Sequence, residues 1–336
     1  MTNRLFCLLA AGFSLVGTLT HAEATRYPLT IDNCGFSLEF AAAPKNVVTI
    51  GQSSTEVLYA LGVGDHMAGT ALWFTAVLPE FKAQNDKVER INDNMPSFES
   101  VINKRPELVA TQFEWMIGEQ GVVGTRPQFH ELGANTFIMP ADCEGKNNLV
   151  GADGTRTAAF RSELVHKGIQ QLGVIFDRQD RAAELIASLR EREAEAVKRA
   201  QALNLADVSA AVWFSSADLE LDPYVAGQKG IPAYLLTSLG IRNVVESDEE
   251  WPTVGWETIA RANPSVLVLA KMDRRRFVAD DIEEKLKFLK SDPVTSQMDA
   301  VKNERFIILD AHEMQATIRL VTGLEKLTDG MENLPK

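Results

Sequence analysis

Two stretches of the chain echo one another. Residues 98–111 read FESVINKRPELVAT, and residues 256–269 read WETIARANPSVLVL. In each, a glutamate (Glu99, Glu257) follows an aromatic residue (Phe98, Trp256), a proline (Pro106, Pro264) comes seven positions after the glutamate, and a short apolar run follows. A second echo lies upstream of each block, LYALGVGDHMAG around Gly62 and LTSLGIRNVVES around Gly240. The blocks keep the same order in both halves at offsets of roughly 160–180 residues, so one α/β plan is used twice. Two such lobes side by side leave a cleft, and clefts between lobes are where small ligands usually bind.

With 336 residues the chain is long enough for two domains, and its 45% hydrophobic and 24% charged content is ordinary for a globular protein. Its first 24 residues stand apart. Arg4 is followed by an apolar run from Leu5 through Leu19 and then by Ala22-Glu23-Ala24, the layout of a cleavable secretory signal, and too short to span a membrane. Export removes Cys7 and leaves Cys34 and Cys143, which allow one pairing: either a single disulfide, which an oxidising compartment favours, or two buried thiols. The net charge of -12 (34 basic, 46 acidic residues) argues against nucleic acid as a partner, because phosphates demand clustered lysine and arginine, while a local basic patch still leaves room for an anionic ligand.

β-Branched runs and helical spacings alternate along the mature chain. Asn46–Thr49, Met67–Thr70, Leu108–Thr111 and Thr136–Met139 read as strands of a first lobe. Ser53-Ser54-Thr55-Glu56 opens a helix that Gly62 closes. Residues 177–204 contain no proline or glycine and carry Ala182, Leu185, Ile186 and Leu189 at helical spacing, which predicts one long helix between the repeat units. Beyond it, Ser209–Phe214, Val266–Leu269 and Phe306–Leu309 read as strands, 279–290 as a charged helix, and 315–327 as a closing helix. The domain reading is a leader at 1–24, a first lobe at 25–176, the linking helix at 177–204 and a second lobe at 205–336.

The segments APKNVVTIGQSSTEVLYALGVGDHMAG, PSFESVINKRPELVAT, PTVGWETIARANPSVLVLA and AVKNERFIILD, taken in order, resemble the periplasmic substrate-binding proteins of ABC importers for ferric siderophores, haem and cobalamin. The resemblance covers nearly the whole mature chain. It implies the class III architecture: two Rossmann-like α/β lobes joined by a single long interdomain helix. It also implies a ligand held between the lobes, limited hinge motion, a monomer, no intrinsic cofactor, and delivery to a dimeric permease in the inner membrane. The bound ligand it implies is a ferric siderophore first, with haem or a corrinoid as alternatives. A glutamate on each lobe of such proteins pairs with permease arginines, and the matching positions are taken as Glu56 and Glu257, with Glu99 structural. For Glu56 the pattern Ser53-x-x-Glu56 offers a second reading, a capping box that satisfies the helix's own amides.

Ligand contacts in an α/β lobe come from loops at the carboxyl ends of the strands. That rule selects Trp73, Phe74, Phe113 and Trp115 in the first lobe, and Phe214, Tyr224, Arg274, Arg275 and Arg276 in the second. Trp213 and Phe214 are neighbours on one strand and point to opposite faces, so at most one faces the cleft. Arg319, within ATIRLVTGL, matches a frequent arginine of the resembled family near the cleft rim. The histidines of the mature chain (His66, His130, His166, His312) are scattered without metal-ligand spacing, which predicts no bare-metal site. No G-x-S-x-G, H-E-x-x-H, Walker loop or G-x-G-x-x-G is present, which leaves little room for an enzyme.

Overall fold

A computed structural model describes residues 23–151 and 153–335. The leader falls almost wholly outside these residues. The described chain begins with an antiparallel hairpin, β1 (Leu29–Asn33) and β2 (Phe36–Phe40), which turns at Cys34-Gly35 and buries Leu38 and Phe40 while Ser37 and Glu39 face solvent. That alternation is the two-residue period of a strand with one covered face.

The first lobe follows as β3 (Val47–Ile50), α1 (Gln52–Ala60), β4 (Met67–Ala71), α2 (Lys82–Asn85), β5 (Arg90–Asn92), α3 (Phe98–Ile102), β6 (Leu108–Thr111), α4 (Glu114–Ile117), α5 (Arg126–Glu131) and β7 (Asn135–Ile138). Its five strands are all parallel, in the order β5-β4-β3-β6-β7. Core strands such as β3 and β6 are buried at every position, as parallel strands covered on both faces must be. A short hairpin of β8 (Lys146–Asn147) and β9 (Thr155–Arg156) leads to α6 (Glu163–Ile175) and then to α7 (Gln179–Gln201).

The second lobe comprises β10 (Ser209–Ser215), β11 (Tyr224–Val225), α8 (Ile231–Ser238), β12 (Arg242–Asn243), α9 (Trp256–Ala262), β13 (Val266–Lys271), α10 (Ile282–Ser291), α11 (Asp299–Lys302), β14 (Phe306–Asp310) and α12 (Leu320–Glu332). Its sheet runs β11-β10-β13-β14, with β12 beside the start of β10 and β11 antiparallel beside its end. Alternate residues of this sheet serve two cores. Ala210, Val212, Val268 and Ala270 belong to the large cluster shared with the first lobe, whereas Ala211, Trp213, Leu267 and Leu269 join Trp256, Phe288 and Leu289 in a second one.

The duplicated blocks now have a physical meaning. α3 runs into β6 and α9 into β13, and each helix is followed by a left-handed residue just before the proline, Arg105 (φ 51°) and Asn263 (φ 43°). A left-handed stop followed by proline ends a helix and turns the chain into the next strand. The upstream echoes place β4 beside β3 and β12 beside β10. In both lobes, therefore, the first core strand has its successor on one side and the block's strand on the other. The crevice between β3 and β6, and that between β10 and β13, are the points where an open parallel sheet offers a ligand site beyond its carboxyl ends.

The long helix expected over 177–204 is the 23-residue α7, about 34 Å long at 1.5 Å per residue. It packs against α6 and α12 with Ala182, Leu189 and Ala196 on its buried seam. Arg192 to Glu325 and Arg199 to Asp329 and Glu332 pair α7 with α12 along their exposed flank. The closing helix starts later than the sequence suggests, at Leu320. Residues Ala311–Met314 form their own turn, and the Thr317 hydroxyl both donates to His312 O and accepts from Arg319 N, which holds the intervening chain out of the helix. Likewise α10 starts at Ile282, because Asp281 caps it through Glu283 N.

Cys34 and Cys143 form a disulfide across 109 residues, fixing the N-terminal hairpin to the turn after β7. Closing so long a loop removes much of the unfolded chain's freedom. Replacing both cysteines by alanine should lower the free energy of unfolding by about 2–5 kcal/mol, measured by urea denaturation, and reductant should then have no further effect on the variant.

Candidate functional site

The lobes meet along a cleft holding a cavity of about 890 Å³, within the usual range for small-molecule sites. Its first-lobe wall is built from loops after β4 and β6. Gln52, at the start of α1, accepts from Phe74 N (3.2 Å) and Thr75 N (3.3 Å) and donates to Ala76 O (3.1 Å), which fixes the loop carrying Trp73 and Phe74. Trp73 donates its indole N–H to Thr70 Oγ1 and lies under the Arg90 guanidinium, 4.3 Å from the ring centroid. Phe74 meets Phe113 edge-on at 6.3 Å, and Phe113 stacks on Trp115 at 5.8 Å. The second-lobe wall carries Phe214 against Trp251 at 4.6 Å and Tyr224 near Phe277 at 6.4 Å. Phe214 faces the cavity and Trp213 turns to the opposite face of β10, into the core with Trp256.

Four arginines and four aspartates line this cavity, so formal charge alone gives it no sign. Three of the aspartates, however, are engaged by protein donors; the fourth, Asp153, has its pKa raised to about 6 by burial, against the charges of Lys146 and Arg156. Asp93 pairs with Arg90 at 3.1 Å. Asp273 accepts from Thr75 Oγ1 and Ala76 N, and Asp280 accepts from Ser215 Oγ and from the amides of Arg276 and Phe277. The arginines are held largely by rings: Arg274 lies over Phe74 at 4.3 Å, and Arg276 lies over Phe277 at 5.0 Å. Arg274 also buries its Nε without a hydrogen-bond partner, and burial lowers its pKa. Arg275 is paired, with Asp281 at 3.3 Å. A cation over a ring face keeps most of its N–H groups available to an anion.

All the cleft residues picked from the sequence line this cavity except Arg319. Arg319 is one half of a buried ion pair with Glu56: its Nε donates to Glu56 Oε2 at 2.8 Å, its Nη2 bonds Glu56 Oε1, and Nη2 also donates to Ala76 O at 2.7 Å. Glu56 is 0% exposed and further accepts from Gln52 Nε2 and Leu78 N. A carboxylate so enclosed cannot meet a permease, and the expectation that Glu56 docks is corrected. The capping-box reading fails as well. Gly51 is the N-cap of α1, no side chain caps it, and Ser53 Oγ instead donates to Ala316 O in the other lobe. Glu257, by contrast, is exposed in the first turn of α9, and Glu99 is exposed at the equivalent place on α3.

Sequence reasoning missed Arg90, Met95, Trp251, Phe277 and Gln315 as cavity residues. Trp251 sits just before the second repeat block and was readable as a loop aromatic. Arg90 opens, and Met95 follows, a three-residue edge strand that leaves almost no pattern. No histidine or cysteine lines the cavity, and no group of three or more His, Cys, Asp or Glu able to hold a metal ion occurs among the described residues. His312 lies behind the cavity, fully buried and stacked on Phe74 at 5.9 Å, and burial with the nearby Arg319 charge holds its pKa well below the usual histidine value.

A family model described as periplasmic binding protein matches residues 47–313. The chain belongs to that family. It is 22% identical over 307 residues to the ABC transporter substrate-binding lipoprotein YvrC of Bacillus subtilis, covering 91% of this chain and 86% of that one. The structure of a periplasmic binding protein from Veillonella parvula superposes with a TM-score of 0.75 at 23% identity, covering 92% of this chain and 98% of the other. The ABC-type Fe3+-hydroxamate transport protein of Saccharomonospora viridis superposes with a TM-score of 0.72 at 27% identity, covering 91% and 99%. The family's members bind substrates for ABC transport and are not enzymes. No helix among the described residues is long and apolar enough to cross a membrane.

Removing one partner of a buried ion pair strands the other, whereas removing both does not. Glu56→Ala should destabilise the protein by about 3–5 kcal/mol, and Glu56→Leu with Arg319→Met should lose less than either single change. Urea denaturation of the parent, Glu56→Ala, Glu56→Leu, Arg319→Met and the double variant measures both.

Proposed function

We propose that this periplasmic binding protein captures an iron(III) chelate of siderophore type between its lobes and carries it to an inner-membrane ABC permease. The observation that carries the reading is the composition of the cavity wall. Aromatic faces from both lobes suit a broad, partly apolar ligand. Guanidinium groups held over rings suit the carboxylate, catecholate or hydroxamate oxygens of a chelator. The absence of imidazole and thiolate from the lining suits a metal that arrives with its coordination already complete. The description of the Saccharomonospora viridis relative points the same way.

Docking on the permease is assigned to Glu257 and, in place of the buried Glu56, to Glu99, which the sequence alone reads as structural. Both are exposed, both lie in the first turn of a short helix, and the internal repeat relates them. Each of these carboxylates, one on each lobe, can take a bidentate contact from a permease arginine.

Tryptophans 73, 115 and 251 line the cavity, so a coloured ligand should quench their emission. Titration with iron(III) complexes of a tricatecholate and a trihydroxamate should quench and raise the melting temperature by mass action. Quenching by haem or a corrinoid alone would replace the chelate with a macrocycle, and silence from all four would remove the reading. Separately, Glu99→Arg with Glu257→Arg should abolish uptake of the bound chelate by cells while leaving its affinity unchanged; a matching loss of affinity would overturn the docking assignment.

A further inference from the structure

Lys285, on α10, is 0% exposed. Its ammonium donates to Phe214 O at 2.5 Å and to Ala270 O at 2.7 Å, beneath the Trp213 ring at 5.2 Å. Those two carbonyls have a particular place. The β10–β13 ladder runs from Ala210↔Val266 to Trp213↔Leu269, so Phe214 and Ala270 are the first residues past its end, where the sheet opens toward the cleft. Lys285 thus spans the crevice between the two strands at the point where their own hydrogen bonding stops.

Asp280, 1% exposed, completes the arrangement from the turn before α10. One oxygen accepts from Ser215 Oγ at 2.6 Å, and the other accepts from Arg276 N at 2.7 Å and Phe277 N at 3.0 Å. A single carboxylate therefore ties the end of β10 to the loop that presents the arginines. Phe214, Ser215, Arg276, Phe277 and Asp280 all line the cavity. An apolar residue would fill the space of Lys285 at less cost, since a buried ammonium is expensive to desolvate.

We propose that Lys285 and Asp280 are positioning residues for ligand capture: together they hold the second-lobe wall, Phe214 on one side and Arg276-Phe277 on the other, in its binding arrangement before the ligand arrives. The inference rests on the proposed binding of an anionic chelate and names the groups that preorganise its site. Preorganisation raises affinity by removing the ordering of side chains and loops from the binding step.

Lys285 also gives the arrangement a pH signature. Burial lowers its pKa to about 7, with Asp280 opposing the shift. Asp280 is the charged group acting on it from the preceding turn. Strands β10 and β13 face it with carbonyls and the Trp213 ring, and on its own helix Glu283 is exposed and Glu284 pairs with Lys287. A base with a lowered pKa is mostly neutral above pH 7, and an anion in the cavity favours its charged form. Binding above pH 7 then takes up a proton, so affinity for an anionic probe falls as pH rises from 7 to 9, by up to about tenfold per unit.

The test uses the mature chain and its Lys285→Met, Lys285→Gln and Asp280→Asn variants. Without ligand, hydrogen exchange across residues 270–281 should quicken in Lys285→Met and Asp280→Asn at the Arg276 and Phe277 amides. With the iron(III) tricatecholate as probe, both variants should bind at least tenfold more weakly. Lys285→Gln, which keeps two donors on one nitrogen, should recover part of the affinity, and both Lys285 variants should lose the pH slope. Unchanged exchange and affinity in Lys285→Met, or a pH slope equal to that of the parent, would overturn the proposal. If the parent binds none of the chelates, the ligand reading fails, and the exchange measurement still decides whether the two residues hold the wall. Should Lys285→Met fail to fold, Asp280→Asn and Lys285→Gln carry the same two measurements.

Discussion

The Glu56–Arg319 ion pair is the contact on which the geometry of the cleft depends. It joins the first helix of one lobe to the residue that opens the last helix of the other. Around it the same few residues do several tasks at once. Arg319 reaches Ala76 O, Gln52 holds the amides of Phe74 and Thr75, and Ser53 donates to Ala316 O. The loop that supplies the aromatic wall is therefore positioned by the groups that hold the lobes together. A buried charge pair is a poor source of net stability, but its geometric demands are strict, because neither partner can be left alone. Here that strictness fixes the register of one lobe on the other.

The duplicated plan has been kept in the backbone and altered at the crevice. In the first lobe the space past the ends of β3 and β6 is occupied by Gln112. Its amide N–H donates to Ile50 O, its side chain accepts from Ser53 N, and its Nε2 donates to Gln315 in the other lobe at 2.7 Å. Gly51 beside it has φ of 125°, and a Cβ there would stand 2.4 Å from that of Gln112, so only glycine fits. In the second lobe the corresponding space past β10 and β13 is spanned by Lys285. One crevice is thus closed by a neutral side chain that links the lobes, and the other is braced by a cation from within its own lobe. The repeat accounts for the two sheets, and the departures from it account for the cavity.

Much of this was legible from residue patterns. The blocks ending in Arg105-Pro106 and Asn263-Pro264 announced both sheets, because a helix stop followed by proline and an apolar run is a local signal. Aromatics in loops after strands were legible as residues lining the cavity, since strand direction alone decides which loops face the cleft. Glu56 and Arg319 were not legible, because they lie 263 residues apart and nothing local marks a carboxylate as buried. In sequence, Ser53-x-x-Glu56 has the form of a cap on an exposed helix. Only the covering of α1 by the second lobe changes its meaning. Arg90 and Met95 were hidden for a different reason: one opens and the other follows a strand too short to carry a period. Lys285 sat in a charged helix that reads as solvated, and one residue of that face turned inward is invisible to composition.

The bridges between the lobes are unequal. In one part of the interface Arg156 and Glu250 pair with 1% and 3% side-chain exposure and the backbone amide of Arg156 donates to Asp248 O; in another, the buried Glu56–Arg319 pair also holds Ala76 O. Separating such groups leaves charges without water or partner, at a cost of several kcal/mol each. Beside Ala76, Asp273 accepts from Thr75 and Ala76 in exposed contacts worth about 1 kcal/mol or less, and the amides of Asp273 and Arg274 donate to the carbonyl of buried Phe74. α7 adds a stiff strut along the back, bound on one side to α6 and on the other to α12. Each part of the interface therefore holds a buried ion pair, and parting the lobes at either one strands its charges, so the contacts favour a small change of the cleft over a wide separation.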